Sequence, residues 1–330
     1  MKWFSLFVLA LCLFSNISLA GTWHEGNGLP QFPSEEAYHA DFAKNSAYQS
    51  VGKLYMNHGG VWSYGSGVLI NSEWVLTAAH LWNYGSDGAP NETRFYINTG
   101  YDGEGNEQRV QYNVDAWHIN PGWDVNNHDF NYGADLALVH LTQSVADITP
   151  AEIYSMDPMN LAPGTALDVE VTLAGYGHGG AGETGIYRPE GGVYVDGQIR
   201  KHAGTNMVDQ YGTPWASGLF LDFDCGYDSG KSKFGSASPV LGEYLAAHGD
   251  SGGGLFYDDG SGDKLAGIFS AIFCWDGIDD SNYGDANRYM YVGDYGDWIE
   301  GVSGVPEPAT MSLLALGSLA MLRRRRRRAA

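Results

Sequence analysis

The sequence predicts an all-β protein that is exported from the cell, and three observations support this. Glycine accounts for 46 of 330 residues, aromatic residues for 13% and charged residues for only 17%. This composition is typical of β-rich extracellular proteins with many turns. Short runs of β-branched and aromatic residues recur between turn-forming residues. The chain also begins with an export signal.

The first 20 residues have the three parts of a signal peptide. Lys2 provides the positive start, residues 3–14 are apolar, and Ser18-Leu19-Ala20 is a small-x-small cleavage site. The apolar run is too short to span a bilayer comfortably, which argues against a membrane anchor. We therefore expect signal peptidase to process the chain and the mature protein to begin near Gly21.

The remaining sequence divides into an extension and two β units. Residues 21–50 predict an N-terminal extension with one short helix near residues 35–44. Two β-rich regions follow, 51–150 and 151–303, joined by a crossover that contains three prolines. In the first, strands are predicted at 51–56, 61–76 (a hairpin), 94–97, 109–114 and 135–141. In the second, strands are predicted at 167–173, 193–200, 218–223, 255–257, 264–273 and 289–292, with a helix at 294–300.

The residues suited to chemistry concentrate around Gly249-Asp250-Ser251-Gly252-Gly253-Gly254. Glycines on both sides allow a tight loop from which the Ser251 hydroxyl projects. A serine becomes an effective nucleophile only beside a positioned base, usually a histidine oriented by a carboxylate. Both candidates occur upstream: His80 ends the motif Thr77-Ala78-Ala79-His80, and Asp135 begins Asp135-Leu136-Ala137-Leu138-Val139-His140-Leu141.

These three motifs, in the order His, Asp, Ser, resemble the trypsin-like serine proteases over roughly residues 50–300. The resemblance implies a chymotrypsin-like fold of two antiparallel six-stranded β-barrels with a short C-terminal helix. It also implies hydrolysis of peptide bonds in a protein or peptide substrate through an acyl-enzyme. Ser251 would attack the carbonyl, His80 would act as base and then acid, and Asp135 would orient the histidine.

The resemblance implies supporting roles for neighbouring residues. The N–H groups of Gly249 and Ser251 would form the oxyanion hole. Ser270 matches a family serine that hydrogen-bonds the triad acid. Asp250 matches the acid that pairs with a new N-terminal amine when family zymogens are activated. No Ile-Val-Gly-Gly-like sequence precedes the first strand, which leaves two alternatives: cleavage elsewhere within residues 21–50, or another partner for Asp250.

The resemblance also locates the substrate pocket. Leu245 falls where trypsin has an acidic pocket floor, and Ile272 and a residue near Asn287 fall at the walls. The expectation is a shallow apolar pocket that favours small or medium apolar side chains. A preference for basic side chains is the alternative if an acid reaches the pocket from Asp222, Asp224 or Glu243.

Two cysteines remain after the signal peptide removes Cys12. Family members bridge the loop before the nucleophile to the segment after the substrate-binding strand. Cys274 lies near the second position, but Ala247 occupies the first. An even number of cysteines in an oxidising compartment predicts one disulfide, which leaves Cys225–Cys274 as the pairing.

Neither a cofactor nor a metal is predicted. The histidines lack zincin spacing, and the acidic turn at residues 258–263 lacks the EF-hand pattern. Loss of Lys2, Glu307 and the six terminal arginines changes the formal charge from −21 to −27. A body this acidic repels nucleic acid and anionic membrane surfaces, which excludes both as expected partners.

The C-terminus, residues 304–330, predicts a sorting signal. Val305-Pro306-Glu307-Pro308 precedes an apolar segment at 311–322 and the arginines at 323–328. This resembles the PEP-CTERM signal of Gram-negative bacteria, which an exosortase recognises and processes. It implies only transient membrane contact and a final location at the cell surface or in the extracellular matrix. A plain tail anchor is the second interpretation, and a nucleic-acid-binding tail is disfavoured because the arginines directly follow the apolar segment.

Two classes of function follow from these observations. The first is an active secreted or cell-surface serine endopeptidase. The second is a catalytically silent protein of the protease fold with a binding or structural role at the cell surface or in the exopolysaccharide matrix. Retention of His80, Asp135, Ser251 and Gly249 together favours the first, because a binding module needs none of them for catalysis.

Overall fold

The computed structural model describes residues 21–23, 35–83, 89–125, 127–130, 133–154, 169–186, 200–213 and 216–305. The signal peptide predicted at 1–20, the strand predicted at 193–200 except for its last residue, and the sorting segment from residue 306 onwards lie outside these residues. None of the described helices has both the length and the apolar character needed to cross a bilayer.

The described strands begin with the N-terminal segment and the first β unit: β1 (Gly21–Trp23), β2 (Val51–His58), β3 (Val61–Leu69), β4 (Trp74–Thr77), β5 (Glu92–Tyr101), β6 (Glu107–Ile119) and β7 (Ala137–Leu141). Those of the second unit are β8 (Val169–Gly175), β9 (Gly179–Ala181), β10 (Gly185–Ile186), β11 (His202–Val208), β12 (Gln210–Thr213), β13 (Ala216–Asp222), β14 (Tyr244–Leu245), β15 (Gly254–Asp258), β16 (Asp263–Phe273) and β17 (Ala286–Tyr291). The described α-helices are α1 (Glu35–Phe42), α2 (His80–Asn83), α3 (Pro121–Val125) and α4 (Gly296–Ser303), and short 3-10 turns lie at Ser46–Tyr48 and Val292–Tyr295.

The first unit is a closed six-stranded barrel with the strand order β2-β3-β4-β7-β6-β5. Alternate residues of these strands point inward and form a buried apolar core, including Leu54, Val75, Phe95 and Val139. The two-glycine turn between β2 and β3 has positive φ angles at both positions, as a tight hairpin requires. This confirms the first predicted barrel.

The second unit is a curled seven-stranded sheet with the order β11-β8-β15-β16-β17-β13-β12. Its two edge strands, β11 and β12, are separated in sequence only by Asp209. One bent segment therefore supplies both edges of the sheet, and the Asp209 N–H continues the pairing by donating to the carbonyl of Phe220. Counted as a single strand, this segment gives the six strands predicted for a second chymotrypsin-like barrel, so the fold class is confirmed.

A third, smaller sheet has the order β10-β9-β1-β14. The central strand is β1, which pairs in parallel with β9 and in antiparallel with β14. Thr22 and Trp23 of β1 are buried. The predicted N-terminal extension is thus anchored in the second unit through this strand, a feature for which its three residues carry no sequence signal.

The two units share a buried core. Val68 and Leu76 of the first barrel lie in one apolar cluster with Phe256 and Ile268 of the second sheet, and α4 adds Ile299 to it. Such burial of apolar surface between the units stabilises their relative position. The candidate active site lies along this junction.

The predicted Cys225–Cys274 disulfide is wrong, because both cysteines are free. Cys225 is buried in a small apolar cluster with Phe223, Leu245 and Tyr283. Cys274 is only partly buried, just beyond β16, and its thiol contacts the Asp279 carboxylate at 3.7 Å. The count of cysteines carries no information about these separate surroundings.

Candidate active site

His80, Asp135 and Ser251 form one hydrogen-bonded chain. Nδ1 of His80 lies 2.8 Å from Oδ2 of Asp135, and Nε2 of His80 lies 2.8 Å from Oγ of Ser251. An ionised carboxylate only accepts hydrogen bonds, so the imidazole proton lies on Nδ1 and Nε2 accepts the Ser251 proton. The side chains therefore stand in the order needed for a histidine to deprotonate a serine.

His80 and Asp135 lie next to the ends of two neighbouring strands of the first barrel. His80 follows β4 at the start of α2, and Asp135 lies two residues before the start of β7, which pairs with β4. The His80 main-chain N–H also donates to Oδ1 of Asp135 at 2.8 Å. One carboxylate thus fixes both the backbone and the ring of His80.

Asp135 is fully buried and held in its ionised form. Burial by itself would raise its pKa, but the adjacent His80 and hydrogen bonds from His80 and Ser270 outweigh burial, so the pKa lies below its ordinary value. The Ser270 hydroxyl donates to Oδ2 of Asp135 at 2.6 Å. This is the contact that the resemblance implied for Ser270.

The loop carrying Ser251 has two main-chain N–H groups, at Gly249 and Ser251, that lie close together in the sequence. Gly249 has a φ of +92°, and Gly252 has a φ of +85°, both in the region that favours glycine. Within the described chain, neither the Gly249 nor the Ser251 N–H donates to a protein acceptor. Free, adjacent N–H groups of this kind can stabilise an oxyanion that forms beside Ser251.

Ser66 of β3 attaches this loop to the first barrel. Its N–H donates to the carbonyl of Ser251 at 2.7 Å, and its hydroxyl donates to the carbonyl of Gly249 at 3.2 Å. The Ser66 hydroxyl in turn accepts from the Tyr176 N–H at 2.9 Å, and its carbonyl accepts from the Thr77 hydroxyl at 2.7 Å. The position of the loop is therefore set by contacts from both units.

Comparison with known protein families agrees with this geometry. The family profile described as Trypsin matches residues 41–299, and that described as PEP-CTERM protein-sorting motif matches residues 304–328. The chain belongs to the trypsin family. A search of curated proteins finds no match to it. The second profile confirms the sorting motif at the C-terminus.

Asp250 of this trypsin-family protein is buried beneath the Ser251 loop. Its carboxylate accepts from the Gly177 N–H at 2.7 Å and from the Ala247 N–H at 2.9 Å. Burial raises its pKa to about 7, although these two N–H groups lower it in part. A positively charged group beside Asp250 would favour its ionised form.

The cleft next to Ser251 contains a cavity of about 430 Å³. Ile272 lines it together with residues of the loop before β7, of the loop that carries Ser251, of β16 and of the turn after β16: Phe130, His248, Phe269, Phe273 and Asp279. Ile272 thus lies at the predicted wall. Phe130 also packs against the His80 ring, with ring centroids 5.4 Å apart.

The other predicted pocket residues lie deeper. Leu245 is fully buried in the cluster around Cys225 and pairs with Thr22 of β1. Asn287 is fully buried and makes two hydrogen bonds with Ala246. Its side-chain oxygen accepts from the Ala246 N–H at 2.7 Å, and its side-chain nitrogen donates to the Ala246 carbonyl at 3.0 Å. Both positions therefore contribute packing behind the cleft.

The three acids considered for a basic pocket are all buried, and two of them accept several hydrogen bonds. Asp222 accepts from Phe234, Lys233 and Ser232, and Glu243 accepts from the N–H groups of Asp224 and Val240. Burial raises the pKa of Glu243 to about 9 and that of Asp224 to about 7. Of the described residues that line the cavity beside Ser251, none is one of these three acids.

Sequence reasoning missed three contributors to the site. Phe130 lies in a loop rich in Asn, Asp and Gly, where an isolated aromatic residue carries no motif. Asp279 pairs with His248 at 2.8 Å at the rim of the cavity. Arg288 donates to Ser270, although an arginine within a strand ordinarily indicates a solvent-facing position.

Proposed function

We propose that this protein is an active serine endopeptidase that cleaves peptide bonds through an acyl-enzyme. The observation that supports this best is the continuous chain Ser251–His80–Asp135, placed beside the unpartnered N–H groups of Gly249 and Ser251. A protein that only binds has no need for a base, an orienting acid and an oxyanion site at one serine. The catalytically silent interpretation is therefore the weaker one.

In the proposed reaction, Oγ of Ser251 attacks the substrate carbonyl while Nε2 of His80 takes its proton. The N–H groups of Gly249 and Ser251 stabilise the oxyanion, and Asp135 stabilises the imidazolium. His80 then gives the proton to the leaving amine, which leaves an ester between the acyl group and Ser251. Water, deprotonated by His80, hydrolyses this ester and regenerates the Ser251 hydroxyl.

We infer that the enzyme prefers small or medium apolar side chains next to the cleaved bond. Ile272 occupies one wall of the cavity, and buried Asn287 bridges to Ala246 behind it. Together they restrict the depth available to a side chain, and none of the three buried acids is among the described residues that line the cavity. A basic preference is therefore not supported.

The sorting motif supports export, and we propose that the protein reaches the surface or extracellular matrix of a Gram-negative cell. Signal peptidase would remove residues 1–20, and an exosortase-like enzyme would process the segment from residue 304 onwards. Membrane contact would then be limited to transit. The mature body, with its formal charge of −27, would remain soluble in the matrix.

The test is labelling of the purified mature protein with a fluorophosphonate, which reacts with activated serines. We expect the wild type to be labelled, Ser251→Ala to lose labelling, and Ser261→Ala, in an exposed turn, to retain it. In a separate assay, wild-type protein that has not been treated with the fluorophosphonate should cleave a peptide library after small apolar residues. A folded wild-type sample that neither labels nor cleaves would contradict the proposal and favour a silent binding protein.

A further inference from the structure

Arg288 is fully buried in β17, directly behind the triad. Its Nη2 donates to Oγ of Ser270 at 2.9 Å, and its Nη1 donates to the carbonyl of Phe130. Both acceptors are neutral oxygens. Removing a guanidinium from water is costly unless an opposite charge compensates for it. The placement of Arg288 therefore needs an explanation beyond packing.

A bulge in β16 brings Ser270 between Arg288 and Asp135. Phe269 pairs with Tyr289 and Ala271 pairs with Arg288, so Ser270 is an extra residue with no partner on β17. Bulges of this kind re-aim a side chain and are frequent beside active sites. Here the Ser270 hydroxyl contacts the guanidinium on one side and the Asp135 carboxylate on the other.

The two contacts fix the direction of the Ser270 proton. A guanidinium only donates hydrogen bonds, so the Ser270 oxygen must accept from Arg288. The single hydroxyl proton is then available only for Asp135, to which it donates at 2.6 Å. Arg288 thus removes the rotational freedom that a serine hydroxyl otherwise has.

We propose that Arg288 is a positioning residue of the catalytic machinery, acting on Asp135 through Ser270 and on Phe130 directly. This inference rests on the proposed peptidase function. It extends the chain of side chains behind the nucleophile to five members: Ser251, His80, Asp135, Ser270 and Arg288. The contact with Phe130 lets the same arginine hold the loop that packs on His80 and lines the cavity.

The charge of Arg288 also sets the electrostatics of the triad. The charged or titratable groups that interact with the guanidinium are Asp135, Tyr295 and Asp129. Burial lowers the pKa of Arg288 to about 10, so it stays cationic at neutral pH. A permanent cation beside the Asp135 carboxylate opposes a second cation, the imidazolium of His80. Removal of Arg288 should therefore move the acid limb of the kcat/KM profile to higher pH.

The test compares two substitutions. Arg288→Met keeps the aliphatic part of the side chain, and Arg288→Lys keeps the positive charge but lacks the two terminal nitrogens of the guanidinium that donate to Ser270 and Phe130. Arg94→Met is the matched control, because it removes an arginine charge from an exposed pair with Glu92. We expect Arg288→Met to lower kcat about tenfold or more, as displaced catalytic groups do, and to shift the acid limb upward. Arg288→Lys should lower kcat while leaving the acid limb in place, and Arg94→Met should change neither.

The outcomes separate this inference from the proposed function. A wild type without fluorophosphonate labelling contradicts the peptidase itself. An active wild type beside a folded Arg288→Met variant with unchanged kcat and acid limb overturns the role of Arg288 alone. If Arg288→Met fails to fold, the result for Arg288→Lys decides. An Arg288→Lys enzyme with the kcat and KM of wild type would overturn the inference. A lower kcat in Arg288→Lys, with the acid limb of its kcat/KM profile unshifted, would support it.

Discussion

Gly249 lies where the loop of the proposed nucleophile closely approaches Tyr64 of the first barrel. A Cβ atom at this position would stand 2.6 Å from the Tyr64 ring and 3.1 Å from Cα of Gly177. The φ of +92° disfavours any side chain as well. The orientation of the Gly249 N–H, and with it the proposed oxyanion site, therefore depends on the absence of a side chain.

Gly249→Ala should reduce kcat by about 100-fold or more, because the loop must move and one oxyanion donor is displaced. The measurement is steady-state hydrolysis of a small peptide substrate, with circular dichroism to establish folding. Gly260→Ala is the matched control, since its φ is +90° but its Cβ would meet nothing within 4 Å. A Gly249→Ala enzyme with wild-type kcat would show that the N–H takes no part in catalysis.

Substitution of Ile272, which lines the cavity beside Ser251, tests the proposed substrate specificity directly. Ile272→Ala removes three carbons from the wall, and each carbon in such a pocket changes discrimination by about tenfold or more. We expect kcat/KM for substrates with Phe or Leu next to the cleaved bond to rise at least tenfold relative to Ala. Ile278→Ala, at an exposed side chain, is the control and should leave this ratio unchanged. An unchanged ratio in Ile272→Ala would exclude this wall as the determinant.

At the scale of elements, β1 connects the N-terminus to the acid beneath the active-site loop. Gly21 pairs with Gly179 in parallel, so the N-terminal end of β1 faces the same way along the sheet as the end of β9 nearest Gly177. Thr22 pairs with Leu245 in antiparallel, so the N-terminal end of β1 also lies at the end of β14 nearest Ala247. Gly177 and Ala247 are the residues whose N–H groups hold Asp250. The strand register thus directs the start of a chain beginning at Gly21 toward the Asp250 carboxylate.

We expect a protein that begins at Gly21 to be activated by signal-peptide removal alone. Its α-amine would stabilise ionised Asp250, whose pKa burial otherwise raises to about 7. The measurement is the fluorophosphonate labelling rate of a chain starting at Gly21 against one with a single extra residue before it. The extra residue should slow labelling about tenfold or more, because it displaces the amine and occupies its space.

Asp250→Asn provides the control for this mechanism. In the chain that starts at Gly21, the substitution should slow labelling, whereas in the extended chain it should have little further effect. This non-additivity is the signature of two groups that act as a pair. Additive effects of the two changes, or equal labelling of the two wild-type chains, would rule out an amine at Gly21 as the partner of Asp250.

At the scale of the whole molecule, buried acids make stability depend on pH. Burial and the charge of Asp222 raise the pKa of Asp209, whose Oδ2 also accepts from the Asp222 N–H at 3.1 Å. A raised pKa in the folded state means that the fold binds this proton more strongly than the unfolded chain does. Its stabilising contribution is fully present below the ordinary pKa of 3.8 and is lost as pH rises through the raised value.

Asp209→Asn should therefore flatten the loss of stability toward alkaline pH. Asparagine imitates the protonated acid, because its oxygen can accept from the Asp222 N–H while its NH2 donates to the Asp222 carboxylate. The free energy of unfolding of wild type should fall between about pH 5 and about pH 9. In Asp209→Asn this fall should be smaller by roughly 1 kcal/mol or more. Urea unfolding measures this, with exposed Asp147→Asn as the control. Equal slopes would mean that Asp209 is ionised in the fold.

The sequence predicts this molecule well where local motifs carry the information. His80, Asp135, Ser251 and Ser270 follow from short motifs whose residues must stand together for chemical reasons, and the structure brings their side chains into contact. Alternation and turn residues likewise predict the barrel strands, since those signals are local. The roles of these residues in catalysis stay predictions until activity is measured.

Other features depend on distant partners that no local pattern reveals. β1 is three residues long and owes its conformation to pairing with β9 and β14, more than 150 residues away. Arg288 is stabilised by groups from other elements, so its sequence context gives no sign of burial. The cysteine count failed for the same reason, because parity does not report whether two thiols share a location.

The hydrogen bond from the Ser66 N–H to the carbonyl of Ser251 gives the molecule an internal reporter. This amide crosses from the first barrel to the loop of the second unit, so it exchanges its proton with solvent only when the two surfaces separate. Its hydrogen–deuterium exchange rate therefore measures the free energy of undocking directly. An inhibitor that bridges both surfaces should slow exchange at Ser66 more than at amides inside either barrel.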